Sequence, residues 1–169
     1  MGGSSLVAKY QGLSSDHLEQ LREDDIKQMA NRDTVAVLLP GAFYTLRDET
    51  VPPIDLLRKH QVAMAVSTDS NPGTSPVTSL LLMMNMACTL FNLTPEEALA
   101  GTTRNSAKAL GMSHKGQINA GMDADLLVWD IERPADLSYL VGSNPLQKVM
   151  INGQWTSANS KRGESLDLR

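Results

Sequence analysis

Two apolar runs, Thr34–Leu39 (TVAVLL) and Val62–Ser67 (VAMAVS), constrain this chain more than any other feature. Neither alternates polar with apolar residues, so each predicts a strand buried on both faces, as in a parallel sheet covered on both sides. Between them, Pro40-Gly41 is expected to stop the first strand. A polar loop follows, and Pro53 opens a helix through Lys59, because proline suits a first helical turn. Upstream, Ser4–Tyr10 predicts a helix closed near Gly12, followed by a short extended stretch over Leu13–His17. Leu18, Leu21, Ile26 and Met29 then mark an amphipathic helix ending near Asn31. Downstream, the pattern is helical from Val77 to Phe91. Thr94-Pro95-Glu96-Glu97 combines a capping threonine, a first-turn proline and a glutamate three residues after the cap. A further helix spans Thr102–Leu110 and closes at Gly111.

Up to about residue 110 the order is strand, helix, strand, helix, which argues for βα units and a parallel sheet. The character changes after Gly111. Short strands are expected at Gly116–Ile118, Ala124–Trp129 and Val149–Ile151, and Asn152-Gly153 is a two-residue hairpin signal. The organisation expected is therefore 1–111 as βα units, 112–156 as a small β appendage, and 157–169 as a polar, disordered tail. A complete (β/α)₈ barrel takes roughly 200–250 residues. Two firm barrel-type strands and one weak one leave either part of such a fold or a different small sheet.

Composition narrows the function classes. The 169 residues carry a formal net charge of −4, which argues against nucleic-acid binding through a basic face. No apolar run reaches the ~18 residues that a membrane span needs. The opening MGGSSLVAKYQG has neither part of a secretory signal. A single cysteine, Cys88, excludes an internal disulfide and suits a reducing cytoplasm.

The segment STDSNPGTSP (Ser67–Pro76) is the most informative for chemistry. It follows the carboxyl end of an apolar strand, where parallel α/β folds place their ligands. Asp69 there can ligate a metal or act as a general base, or it can cap the helix after Pro76 or bend the turn. His17 stands in the same relative position after the Leu13 stretch. It can orient a metal-bound water or polarise a carbonyl, or it can be a surface histidine. His60 reads as a structural residue at a helix end. His114 reads as solvent-facing, Cys88 as packing, and Met83, Met84 and Met86 as core or interface. There is no glycine-rich phosphate loop and no Gly-x-Ser-x-Gly elbow.

Taken together, Thr103–Gly111, Gly116–Ile118 and Gly121–Leu126 resemble the return from the last barrel helix to the flanking β-sandwich of the cyclic amidohydrolases. SSDHLE (Ser14–Glu19), TVAVLLPGAFY (Thr34–Tyr44), STDSNPGTSP and SLLLMMNMACTLF (Ser79–Phe91) more narrowly resemble the imidazolonepropionase family. The resemblance covers residues 2–155. It implies the carboxyl-terminal portion of a TIM-type barrel, with its last strands and helices, plus part of a small β-sandwich.

For function, the resemblance implies hydrolysis of 4-imidazolone-5-propanoate to N-formimino-L-glutamate in histidine degradation, with one zinc or iron ion. Asp69 matches the family's metal-ligating aspartate after the eighth strand, and His17 its active-site histidine after the sixth. Asn71, Gly73 and Thr74 match the loop that contacts substrate or product. The family's His-x-His pair has no counterpart, since none of the three histidines forms one. The chain from Met1-Gly2 onward is accordingly expected to be a piece of a longer enzyme, inactive by itself. Two alternatives are another metal-dependent cyclic amidohydrolase or deaminase, and a non-catalytic barrel remnant that associates with a partner. The expected partner is a small molecule, with no nucleic acid or membrane. Homo-oligomerisation through the Met-rich helix stays open.

Overall fold

The computed structural model describes residues 2–156. Its first part is a three-stranded parallel sheet in the order β1 (Ser14–Asp16), β2 (Val35–Leu38), β3 (Met64–Val66). Every residue of β2 and β3 is buried, as their unbroken apolar sequence requires. Leu38 and Val66 join Ile26, Met29, Leu57, Met83 and Phe91 in one core, while Val35, Val37, Leu39 and Ala65 form a second with Ala42.

Helices link and cover these strands. Before β1 comes α1 (Gly3–Lys9). The chain then crosses to β2 through α2 (Glu23–Arg32), to β3 through α3 (Pro40–Leu46) and α4 (Ile54–Lys59), and leaves through α5 (Leu80–Phe91), α6 (Pro95–Thr102) and α7 (Arg104–Ala109). The Thr94 box forms as its sequence implies. Thr94 Oγ1 accepts from the Glu97 amide at 3.2 Å, and Glu97 Oε2 accepts from the Thr94 amide at 2.9 Å. Glu97 also takes two hydrogen bonds from the Arg58 guanidinium, at 2.7 and 2.8 Å, which fastens α6 to α4. The α6 helix presses onto β3 at Gly101, where a Cβ would lie 2.9 Å from Val66 Cγ2. Asn105 of α7 donates to the Met64 carbonyl at 2.8 Å and so closes off the start of β3.

The sequence reading needs four corrections. Pro40-Gly41 does end β2, but the next residues form α3 rather than a polar loop, because the same proline serves as a first helical residue. The helix expected from Leu18 starts only at Glu23. Leu18 and Leu21 sit in the preceding turn, and the helix is set by Asp25, which accepts from the Arg22 amide at 3.3 Å. Gly116–Ile118 is irregular, bent chain rather than strand: Gly116 has φ +81° and a Cβ there would meet the backbone of Thr103 at 2.8 Å. A short helix, α8 (Asp136–Tyr139), occupies a stretch that carries no helical pattern in the sequence.

The second part is an antiparallel sheet of β4 (Leu126–Trp129), β5 (Leu146–Ile151) and β6 (Gln154–Trp155), with the β5–β6 hairpin turning at Asn152-Gly153. It joins the first part through α8, whose Leu137 is buried with Met84 and Ala98 while Trp129 and Ile131 pack alongside. Met83, Met84 and Met86 are all buried within this chain, so the methionine row is core. The tail expected over 157–169 lies outside the described residues. Among the described residues no helix is long and apolar enough to cross a membrane.

Candidate active site at the carboxyl ends of the parallel strands

Adjacent strands run about 4.8 Å apart, so β1 and β3, with β2 between them, are separated by about 10 Å. The residues beyond their carboxyl ends cross that gap. His17 Nε2 lies 3.8 Å from Asp69 Oδ2, although 52 positions separate the two in sequence. Both residues have left-handed backbones, φ 55° at His17 and 46° at Asp69, where non-glycine residues are uncommon. The reversal turns His17 off β1 at once, and at Asp69 it turns the chain three residues after the last residue of β3. The His17 side chain is 55% exposed and that of Asp69 33%, so the pair faces solvent and stays reachable by a ligand.

The helix-capping alternative for Asp69 is excluded. The helix after Pro76 begins at Leu80 and is capped by Ser79, whose Oγ accepts from the Leu82 amide at 3.2 Å. Asp69 belongs instead to a loop organised by Asn71. Asn71 Oδ1 accepts from the Gly73 amide at 2.9 Å and the Thr74 amide at 2.8 Å. Its Nδ2 donates to the Asp69 carbonyl at 2.7 Å and to Thr74 Oγ1 at 3.0 Å, and it lies 3.4 Å from Asp69 Oδ2. The Asn71 amide bonds to the Ser75 carbonyl at 3.0 Å. Ser75 is wholly buried and donates from Oγ to the Thr68 carbonyl at 2.6 Å. Gly73 is exposed, with only Asn71 Oδ1 near the position of an added Cβ, so its outer side is open.

Asp16, the last residue of β1, was not singled out from the sequence. Desolvation raises its carboxyl above the usual range; the positive field of His17 opposes this, and repulsion from Asp69 adds to it. The signal available was its place beside His17 at a strand end. A cleft of about 580 Å³ runs along β1 past Ser15, Asp16 and His17 to Asp25. Asp25 is buried and held ionised by hydrogen bonds from Ser5 and Arg22, so it is a structural carboxylate.

The other sequence candidates fall elsewhere. His60 caps α4 and meets Glu23 Oε1 at 2.9 Å, as a structural residue should. His114 is 58% exposed and lies 3.5 Å from Asp123. Cys88 is half-buried beside the core. Asp69 is a carboxylate oxygen donor of the kind zinc and iron accept. Among the described residues, no group of three or more His, Cys, Asp or Glu side chains converges.

Comparison with known proteins bears on what this site belongs to. Residues 13–156 match the model of the Amidohydrolase family. An imidazolonepropionase from Psychrobacter cryohalolentis is 69% identical over 155 residues, which cover 92% of this chain and 36% of that protein. One from Ruegeria pomeroyi is 62% identical over 153 residues, 90% of this chain and 38% of the relative. The chain thus spans between a third and two fifths of the length of these curated relatives. Among solved structures, a zinc- and atraton-bound mutant of atrazine chlorohydrolase from Arthrobacter aurescens superposes with a TM-score of 0.72 at 21% identity, over 84% of this chain and 35% of that one. The guanine deaminase of E. coli gives 0.70 at 17% identity, over 85% and 38%. At these identities the likeness shows the fold: the parallel units are part of an α/β, TIM-type amidohydrolase barrel.

Proposed function

The chain belongs to the amidohydrolase family, and from that membership we propose that it supplies the carboxyl-terminal part of an imidazolonepropionase. The reaction is hydrolysis of 4-imidazolone-5-propanoate to N-formimino-L-glutamate, a step of histidine degradation, carried out in the cytoplasm. The observation that carries this reading is the approach of Asp69 to His17 at the carboxyl edge of a parallel sheet, within a sequence 69% identical to a protein of that name. Residues 1–111 act as barrel units and 112–156 as strands of the flanking sandwich.

Asp69 would hold one zinc or iron ion together with ligands that this chain does not contain. An ion so bound would lower the pKa of its water towards about 7. Asp69 takes the proton of the attacking water and returns it to the ring nitrogen as the lactam C–N bond breaks; the lactam carbonyl becomes the new carboxylate. His17, 3.8 Å from Asp69 Oδ2, orients the attacking oxygen and opposes the charge that grows on the carbonyl oxygen. Asn71, Gly73 and Thr74 border the substrate, with Gly73 leaving room for close approach because it has no Cβ.

The test is a chimera in which residues 13–156 of this chain replace the matching segment of the Psychrobacter relative. It is expected to bind one metal ion and to hydrolyse 4-imidazolone-5-propanoate, and Asp69→Asn is expected to abolish both. A folded chimera without turnover, or an Asp69→Asn form that keeps metal and activity, overturns the reading. So does stoichiometric metal with turnover in the 169-residue chain alone.

A further inference from the structure

Register decides which side of the parallel sheet each residue faces, because residues alternate along a strand and partners across strands share a face. Ser15 pairs with Ala36 and Ala36 with Met64, and that row packs under the helices with Ile26, Leu57 and Phe91. Asp16 belongs to the opposite row, beside Val37 and Ala65. Those two are buried in the second core with Val35, Leu39 and Ala42. In a closed barrel the face turned from the helices is the interior, which branched apolar side chains ordinarily fill. Asp16 is therefore a carboxylate set in an apolar layer, one residue before His17. Among the described residues no hydrogen bond reaches it, while the charges of His17 and Asp69 both act on it. Asp25, the other carboxylate of the same cleft, is by contrast tied down by Ser5 and Arg22. An unpartnered carboxylate among apolar neighbours costs stability, and such groups are kept where a ligand uses them.

We propose that Asp16 is a substrate-binding residue: its carboxylate accepts a hydrogen bond from a ring N–H of the cyclic amide and so sets which edge of the ring meets His17 and Asp69. This rests on the reading of the site as that of an imidazolonepropionase given above. The chemistry of 4-imidazolone-5-propanoate suits the role at both ends. Its ring offers an N–H to an ionised acceptor, a pairing that strengthens where water is excluded. Its propionate is repelled by the same charge, so the ring and not the acid is drawn towards β1.

The experiment uses the same chimera with Asp16→Leu, which suits an apolar layer, and Asp16→Asn, whose amide oxygen still accepts. Thermal melts, zinc affinity by competition with a chelator, and KM and kcat with 4-imidazolone-5-propanoate are measured for each. In Asp16→Leu, kcat/KM is expected to fall roughly 10–100-fold, the loss of one hydrogen bond to a charged acceptor, and chiefly through KM. Asp16→Asn is expected to lose less. Zinc affinity is expected to hold in both, and Asp16→Leu to melt at or above the temperature of the unmutated chimera, since it relieves an unpartnered charge. Substrate analogues methylated on a ring nitrogen add a direct reading: the unmutated chimera is expected to discriminate against one that lacks the N–H, and Asp16→Leu to lose that preference. A fall in melting temperature of more than about 5 °C in Asp16→Leu would show a structural ion pair with the rest of the barrel and overturns the proposal. So does a loss of zinc, a loss confined to kcat, or a retained preference for the N–H. If the unmutated chimera does not turn over, the reading of the site falls and takes this one with it. If it turns over and Asp16→Leu matches it, only the role of Asp16 fails.

Discussion

Gly41→Ala tests whether the loop that carries Asp69 is braced by the helix after β2. Gly41 is the second residue of α3, and a Cβ built on it would lie 2.7 Å from Ser75 Oγ, 3.0 Å from Met83 Sδ and 3.3 Å from Met83 Cε. Met83 can swing its thioether away, but Ser75 is wholly buried and its Oγ is engaged at 2.6 Å with the carbonyl of Thr68, the residue before Asp69. Overpacking of this kind costs about 1–3 kcal/mol. A serine that rotates away gives up a bond worth about 0.5–1.5 kcal/mol, and the better helix propensity of alanine returns about 0.5–1 kcal/mol. The net is a loss of about 2 kcal/mol, and at roughly 2–4 °C per kcal/mol for a domain of this size Tm falls by roughly 4–8 °C. Thermal and urea melts of Gly41→Ala, Ser75→Ala and the double variant measure it. Because the clash is with Ser75 Oγ, the double variant should lose about 1 kcal/mol less than the sum of the singles. A Gly41→Ala protein as stable as the parent, or strictly additive singles, refutes the bracing argument.

Glu23 Oε1 accepts from Lys59 Nζ at 2.7 Å and from His60 Nε2 at 2.9 Å, and these bonds pull its carboxyl from 4.5 down to about 2. A depressed folded value means that the stabilisation is complete above 4.5 and is lost as pH falls from there towards 2. Glu23→Gln should therefore flatten the acid limb of the stability curve in that window; superimposable curves for parent and variant would contradict the linkage. Phe91 is 1% exposed and packs edge to face on Phe43 with ring centres 5.1 Å apart. Its replacement by alanine should cost about 3–5 kcal/mol in a urea titration, and a loss below about 1 kcal/mol would show that the site collapses to fill the space.

What could be read from the sequence follows from how local each signal is. β2 and β3 were visible because burial on both faces requires an unbroken apolar run, and the Thr94 box was visible because all its partners lie within four residues. The start of α3 was hidden by the double meaning of Pro40, which can end a strand and open a helix in one step. α8 is four residues long, too short for a helical period to register. Gly116–Ile118 has the composition of a strand edge, yet tertiary contact between Gly116 and Thr103 fixes a positive φ there. Within the candidate site, the loop chemistry of Asn71-Pro72-Gly73-Thr74 was legible as a turn. That Asn71 would spend its whole amide on the turn was not, because the sequence does not say which partner a donor chooses.

The meeting of His17 and Asp69 was beyond any local signal, and the topology explains it. Strand order β1-β2-β3 puts two strand spacings between these residues, a distance that neither side chain bridges by extending straight off its strand. Left-handed residues at both ends turn the chain abruptly above the sheet, and the bonds of Asn71 and Ser75 keep one of those turns in place. The fold thus supplies the two carboxyl ends at a fixed separation, while the loops supply the approach. The same division accounts for the relatives sharing a barrel at 17–21% identity: the buried strands need only be apolar, whereas what the site does depends on the few polar residues standing where each strand stops.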